Sequence, residues 1–95
     1  MAAYIITQIT ITDPEEFKQY VALSPASIKQ YGGRHIARGA RTITLEGEAS
    51  TTRNGIIQFD SVDAALRWYN SPEYREVKRI RDRSSVATFR VLEGV

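Results

Sequence analysis

Between Ala3 and Thr12 the chain is rich in β-branched residues, with Ile5, Ile9 and Ile11 on one side of an extended backbone and Tyr4 and Ile6 on the other. That pattern predicts a first strand. The rhythm changes at Asp13-Pro14-Glu15-Glu16, where Asp13 can cap a helix, Pro14 suits its first turn and Glu16 stands where it can reach back to the cap amide. Phe17, Tyr20 and Val21 then recur at i, i+3 and i+4, the spacing of one helical stripe. Ser24-Pro25 predicts a break, because the residue before a proline is pushed out of the helical region. A second short helical piece, Pro25 to Tyr31, should turn Ile28 and Tyr31 inward and stop at Gly32-Gly33.

Arg34 to Glu46 reads as a second strand interrupted at Gly39. Gly47 to Arg53 is polar and turn-like, Asn54-Gly55 marks a turn, and Ile56 to Asp60 reads as a short third strand closing a long antiparallel hairpin. Asp60-Ser61 offers caps for a helix whose buried stripe should be Val62, Ala65, Leu66 and Tyr69. Ser71-Pro72-Glu73 repeats the device and opens another helix to about Asp82. From Val86 to Glu93 the pattern alternates, with Ala87, Phe89 and Val91 facing one way and Val86, Thr88, Arg90 and Leu92 the other.

The resulting order, β-α-β-β-α-β, predicts an α+β, ferredoxin-like fold with a four-stranded antiparallel sheet and helices on one face. The other face should alternate to polar if water covered it. Instead Ile6, Ile56 and Leu92 point there, which predicts a cover. A second copy of the same sheet, related by twofold symmetry, is the simplest one, and two such sheets make a barrel-like core.

Composition narrows the picture without naming a reaction. Residues 1–95 are expected to form a single domain, one short enough that its own core is thin, so help from a partner subunit fits. The amino terminus lacks a signal-peptide pattern, no segment reaches the length of a membrane span, and cysteine is absent. Together these point to a cytoplasmic protein without disulfides, thiolate nucleophiles or iron–sulfur clusters. One histidine and no dense acidic cluster argue against a metal site, and no cofactor is expected. The net charge of +2 is balanced, with no long run of one sign, so charge gives no case for nucleic acid or membrane.

Specific segments add more. YGGRHIARG, the following LEG, WYNSPEY and the terminal VLEGV resemble the signature of a family of small bacterial proteins, domain-of-unknown-function family 1330, and the resemblance runs from AYIITQITITDPEEF to the end. It implies a subunit of the dimeric α/β-barrel superfamily, whose other members include muconolactone isomerases, cofactor-free monooxygenases and haem-binding chlorite dismutases. The family has no established activity, so the resemblance implies a fold and not a reaction. Two positions depart from the pattern: His35 stands where an aromatic or aliphatic residue is usual, and Ala40 where a second glycine is common.

The resemblance also implies a small-molecule cleft between sheet and helices. Candidates to line it are Tyr20, Ser24, Tyr31, Arg38, Trp68, Tyr69 and Tyr74. The aromatics could wall an apolar slot, or be core at helical spacing. Arg38, flanked by Ala37 and Gly39, could grip a carboxylate through its planar fork, or pair with Glu46, Glu93 or a backbone carbonyl. In an unbroken strand His35 and Arg38 would face opposite ways unless a bulge at Gly33 or Gly39 re-aimed one, so His35 reads as a solvent or interface residue.

No phosphate loop, serine elbow or stacking aromatics on the third strand are present, which argues against nucleotide binding, serine nucleophile chemistry and RNA recognition. Arg75, Lys78, Arg79, Arg81 and Arg83 read as a solvated helix face laced with ion pairs. The expectation is a homodimer, joined through the open sheet face, whose clefts bind a small anionic, partly apolar molecule. It would act as a cofactor-independent enzyme or, alternatively, as a non-catalytic binding or stress-associated dimer.

Overall fold

A computed structural model describes residues 1–39 and 41–95; Ala40, one of the two departures from the family pattern, lies outside the described residues. The elements run β1 (Ala3–Ile11), α1 (Pro14–Gln30), β2 (Arg34–Arg38), β3 (Arg53–Phe59), α2 (Val62–Tyr69), α3 (Pro72–Ser84) and β4 (Ser85–Glu93). The four strands form one antiparallel sheet in the order β2-β3-β1-β4, the ferredoxin-like arrangement that the alternation predicted.

Burial follows the pleat. Ala3, Ile5, Thr7 and Ile9 of β1 and Gly55, Ile57 and Phe59 of β3 turn to the helices and are buried. Ala87, Phe89 and Val91 share that side, opposite Ile9, Thr7 and Ile5. The other face carries Ile6 beside Ile56, Tyr4 beside Leu92, and Val86, with Gln8, Gln58 and Arg90 among them. Leu92 is 59% exposed and Val86 70%. Two layers make a slab 16 Å thick.

Serine and aspartate caps set the helix starts as expected. Asp13 accepts from the Glu16 amide, Ser61 from Ala64 and Ser71 from Tyr74. Glu16 does not close a capping box, because the Asp13 amide already donates to the Ser84 carbonyl and the Glu16 carboxylate takes Arg83 at 2.6 Å. At the far end of α1, Gly32 sits at φ +79° while the Gly32 and Gly33 amides bond the carbonyls of Lys29 and Ile28, the paired bonds of a Schellman stop.

Four expectations are corrected. α1 runs unbroken through Ser24-Pro25. β2 ends at Arg38, and residues 41–52 form an exposed, irregular arm that carries Ile43 and Leu45 outward. Asn54-Gly55 lies inside β3, because the arm makes the reversal that these two residues were expected to make. In α2 the buried stripe is Ala65 and Trp68, whereas Leu66 faces out. Trp68 wins because its indole reaches Phe59, ring centroids 5.6 Å apart, and donates its N–H to Ser27 Oγ at 3.1 Å.

Along α3, Lys78–Asp82 and Arg79–Glu76 pair across one turn as a solvated face should. Arg81 joins them only through Asp82, at 3.8 Å. It is buried, with its guanidinium 4.1 Å from the Phe89 ring centroid and its Nε without a partner. Among the described residues no helix is long and apolar enough to cross a membrane.

Candidate functional site

A cavity of about 40 Å³ lies between α1 and the β2–β3–β1 side of the sheet. Its floor follows from the pairing register. Arg38 of β2, Gly55 of β3 and Thr7 of β1 sit side by side in one cross-strand row. Gly55 contributes no side chain, and a Cβ placed there would lie 2.9 Å from Thr7 Oγ1 and 3.2 Å from the Ala37 carbonyl. The hollow exists because that row is short of one side chain.

β2 directs two polar groups into the hollow. A bulge between His35 and Ala37 leaves Ile36 without a partner, so His35 stands opposite Ile57 and Arg38 opposite Gly55, both residues of the helix-facing side. The divergence expected of an unbroken strand is therefore corrected. The re-aiming bulge sits at Ile36 rather than at either neighbouring glycine.

α1 supplies the roof, and with it a fixed point for Arg38. Pro25 has no amide hydrogen to give the Val21 carbonyl four residues back, which leaves that carbonyl without its helical donor. Arg38 Nη2 donates to it at 2.9 Å. The same bond satisfies the carbonyl that the proline leaves open and fixes where the arginine points. Of the partners weighed for Arg38, it is the backbone carbonyl that holds it. Among the described residues no ion pair involves Arg38.

Arg53 also borders the cavity, a residue that the sequence reading did not single out. It precedes Gly55, Ile57 and Phe59 at a spacing of two, so period-2 counting places it on the inner face. Gly39 makes room for it. At φ +55° Gly39 adopts a conformation that side chains disfavour, and a Cβ there would approach Arg53 Cγ to 2.6 Å. Two guanidinium groups and one imidazole thus border a cavity lined by no acidic side chain.

The remaining walls are Ile9, Phe17 and Val21, which are apolar, and Tyr20, Ser24 and Asn54, which are polar. Tyr20 shares a hydrogen bond of 2.8 Å with the buried Tyr74 hydroxyl. Burial pushes both phenols upward, so each stays protonated and can donate. His35 is held below its ordinary value, first by burial and then by the Arg38 and Arg53 cations.

Of the seven candidates, Arg38, Tyr20 and Ser24 border the cavity. Tyr74 stands one hydrogen bond behind it, through Tyr20. Trp68 is wholly buried in the core, against Tyr74 at 4.0 Å between ring centroids. Tyr69 packs on Trp68 and Phe89, away from this cavity. Tyr31 donates to Glu73 at 2.8 Å and ties the end of α1 to the start of α3. The backbone amide of Glu73 and then that bond hold the Glu73 carboxyl below its usual range.

Comparison with known proteins gives the family and the fold. A family model described as a domain of unknown function, DUF1330, matches residues 2–95. No curated protein matches the chain. Among solved structures, the protein of unknown function RPA0582 from Rhodopseudomonas palustris superposes with a TM-score of 0.77 at 18% identity, covering 99% of this chain and 82% of its own. A dimeric ferredoxin-like protein of unknown function from Jannaschia gives 0.71 at 11% identity, over 99% and 100% of the two chains. SnoaB, a cofactor-independent oxygenase from Streptomyces nogalater, gives 0.69 at 15% identity, over 99% and 93%. At these identities the likeness is one of fold.

Proposed function

The chain belongs to the DUF1330 family, and from that premise we propose that it is a cytoplasmic, single-domain subunit whose cleft binds a small, anionic, partly apolar molecule. The observation that carries the reading is the cavity's lining: the Arg38 and Arg53 guanidiniums, no carboxylate, and an apolar wall of Ile9, Phe17 and Val21. Arg38 is the anchor. One of its nitrogens is occupied by Val21, which orients the fork and leaves its other N–H groups for a carboxylate. Tyr20 and Ser24 add hydroxyl groups, and Tyr74 supports Tyr20 from behind. Tyr31, Trp68 and Tyr69 act through the packing that holds α1, α2 and α3 around the cleft.

If chemistry occurs, it is of the cofactor-independent kind: Arg38 steadies a carboxylate or enolate-like oxygen while the Tyr20 phenol donates a hydrogen bond to it. The fold shared with a cofactor-independent oxygenase is compatible with this and equally with a non-catalytic binding protein. The subunit is a homodimer through the open sheet face. Support comes from Ile6, Ile56 and Leu92 on that face and from fold relatives described as dimeric.

The test is Arg38→Met. The substitution removes one exposed hydrogen bond, worth about 0.5–1.5 kcal/mol, so the melting temperature should fall by a few degrees while binding of propionate, followed by calorimetry, is lost. Retained propionate binding would refute the anchor role. A collapse of stability would instead make Arg38 a structural residue.

A further inference from the structure

His35 borders the cavity beside both arginines, and the reading of the cleft above gives it no task. Resting on that reading, we propose that His35 is the third ligand-binding group of the cleft, and that a short-chain carboxylate enters together with a proton, which His35 takes up.

Geometry carries the first half. The bulge at Ile36 turns His35 to the same face as Arg38, His35 opposite Ile57 and Arg38 opposite Gly55. Arg53 enters from β3 over Gly39. The charged and titratable groups facing His35 are therefore Arg38 on its own strand, Arg53 on β3 and the Tyr20 phenol on α1, while β1 offers only Thr7 and Ile9. No acidic side chain lines the cavity to balance two cations.

The second half follows from sign. Burial and then the two guanidiniums hold the imidazole below its ordinary value, so it is neutral at pH 7. A carboxylate bound between the guanidiniums cancels their field and presents acceptor oxygens to the ring. The charged imidazole is then favoured, and its titration midpoint is higher with ligand than without. Binding consumes a proton at any pH between the two midpoints, and affinity rises as pH falls through that window. Size and shape select the ligand class. About 40 Å³ admits on the order of three water molecules, the bulk of a carboxylate head. The planar forks match it, and Ile9, Phe17 and Val21 suit a short hydrocarbon.

His35 is the chain's only histidine, so its ring proton gives a single reporter line in NMR. The line is followed against pH in the wild-type protein alone and with saturating propionate, 2-oxobutanoate or inorganic phosphate. The midpoint should rise with either carboxylate. Calorimetry in buffers of different ionisation enthalpy should show proton uptake, and propionate affinity should gain about tenfold for each unit of rise. His35→Gln should bind propionate with a flat pH dependence.

An unmoved midpoint at saturating propionate, or an unchanged pH dependence in His35→Gln, overturns the proposal while leaving Arg38 as anchor. A response to phosphate and to neither carboxylate overturns the ligand class. If none of the three anions binds, the anion reading of the cleft fails and takes this one with it.

Discussion

His35 decides how the unliganded molecule meets mild acid. In the unfolded chain its imidazole titrates near the ordinary 6.5, whereas in the fold its midpoint is lower. Above the unfolded value both states are neutral and the residue contributes nothing. As pH falls below it, the unfolded state takes a proton that the folded state refuses, so stability drops until the folded midpoint is passed. The urea midpoint should therefore decline as pH falls below the ordinary histidine value of 6.5, and His35→Gln should remove that part of the decline. Glu73, held low by its own backbone amide and by Tyr31, loses its contribution only in the carboxylate range, below this window. At this scale Arg38 was legible from its small neighbours, and Arg53 could have been found by counting in twos from Phe59. His35 could not, because its direction depends on a bulge that appears only when β2 is paired with β3.

Among the elements, α1 is where sequence rules and tertiary structure disagree. The local preference against a helical residue before proline predicted a break at Ser24, and an isolated peptide has nothing to oppose that preference. In the fold, Ser24, Ser27 and Ile28 are buried, and Trp68 donates to Ser27, so the second half of the helix is held by packing. Arg38 satisfies the carbonyl that the proline leaves open. Pro25→Ala should restore the missing helical hydrogen bond and raise the melting temperature, since proline in a helix interior costs about 3 kcal/mol. Propionate affinity should fall several-fold, because Arg38 loses its fixed point. A variant that is more stable and binds equally well would show that the carbonyl does not position the arginine. Caps and alternation were legible because they are local: Asp13, Ser61 and Ser71 each bond an amide three residues on. The end of β2 was not, since Thr42 and Thr44 favour strands, yet residues 41–52 pair with no strand.

For the whole molecule, the feature that sets behaviour is the slab only 16 Å thick with helices on one side. The apolar residues of the other side, together with Ile43 and Leu45 on the 41–52 arm, are more than a small isolated subunit gains by exposing. The protein should elute as a dimer at micromolar concentration in size-exclusion chromatography with light scattering. A monomer with a well-folded spectrum would sink the reading of the open face. That face was legible from Ile6, Ile56 and Leu92 because strands have a period of two; the arm's contribution was hidden, since residues 41–46 read as strand.

Pro25 and Arg38 stand thirteen positions apart and on different elements, yet both act on one carbonyl, that of Val21. The proline makes a defect and the arginine repairs it. Loss of the arginine costs the fold less once the proline has gone, so each position sets the price of change at the other. The effects of Pro25→Ala and Arg38→Met on stability should therefore not add, and a double-mutant cycle reads the coupling between the two positions.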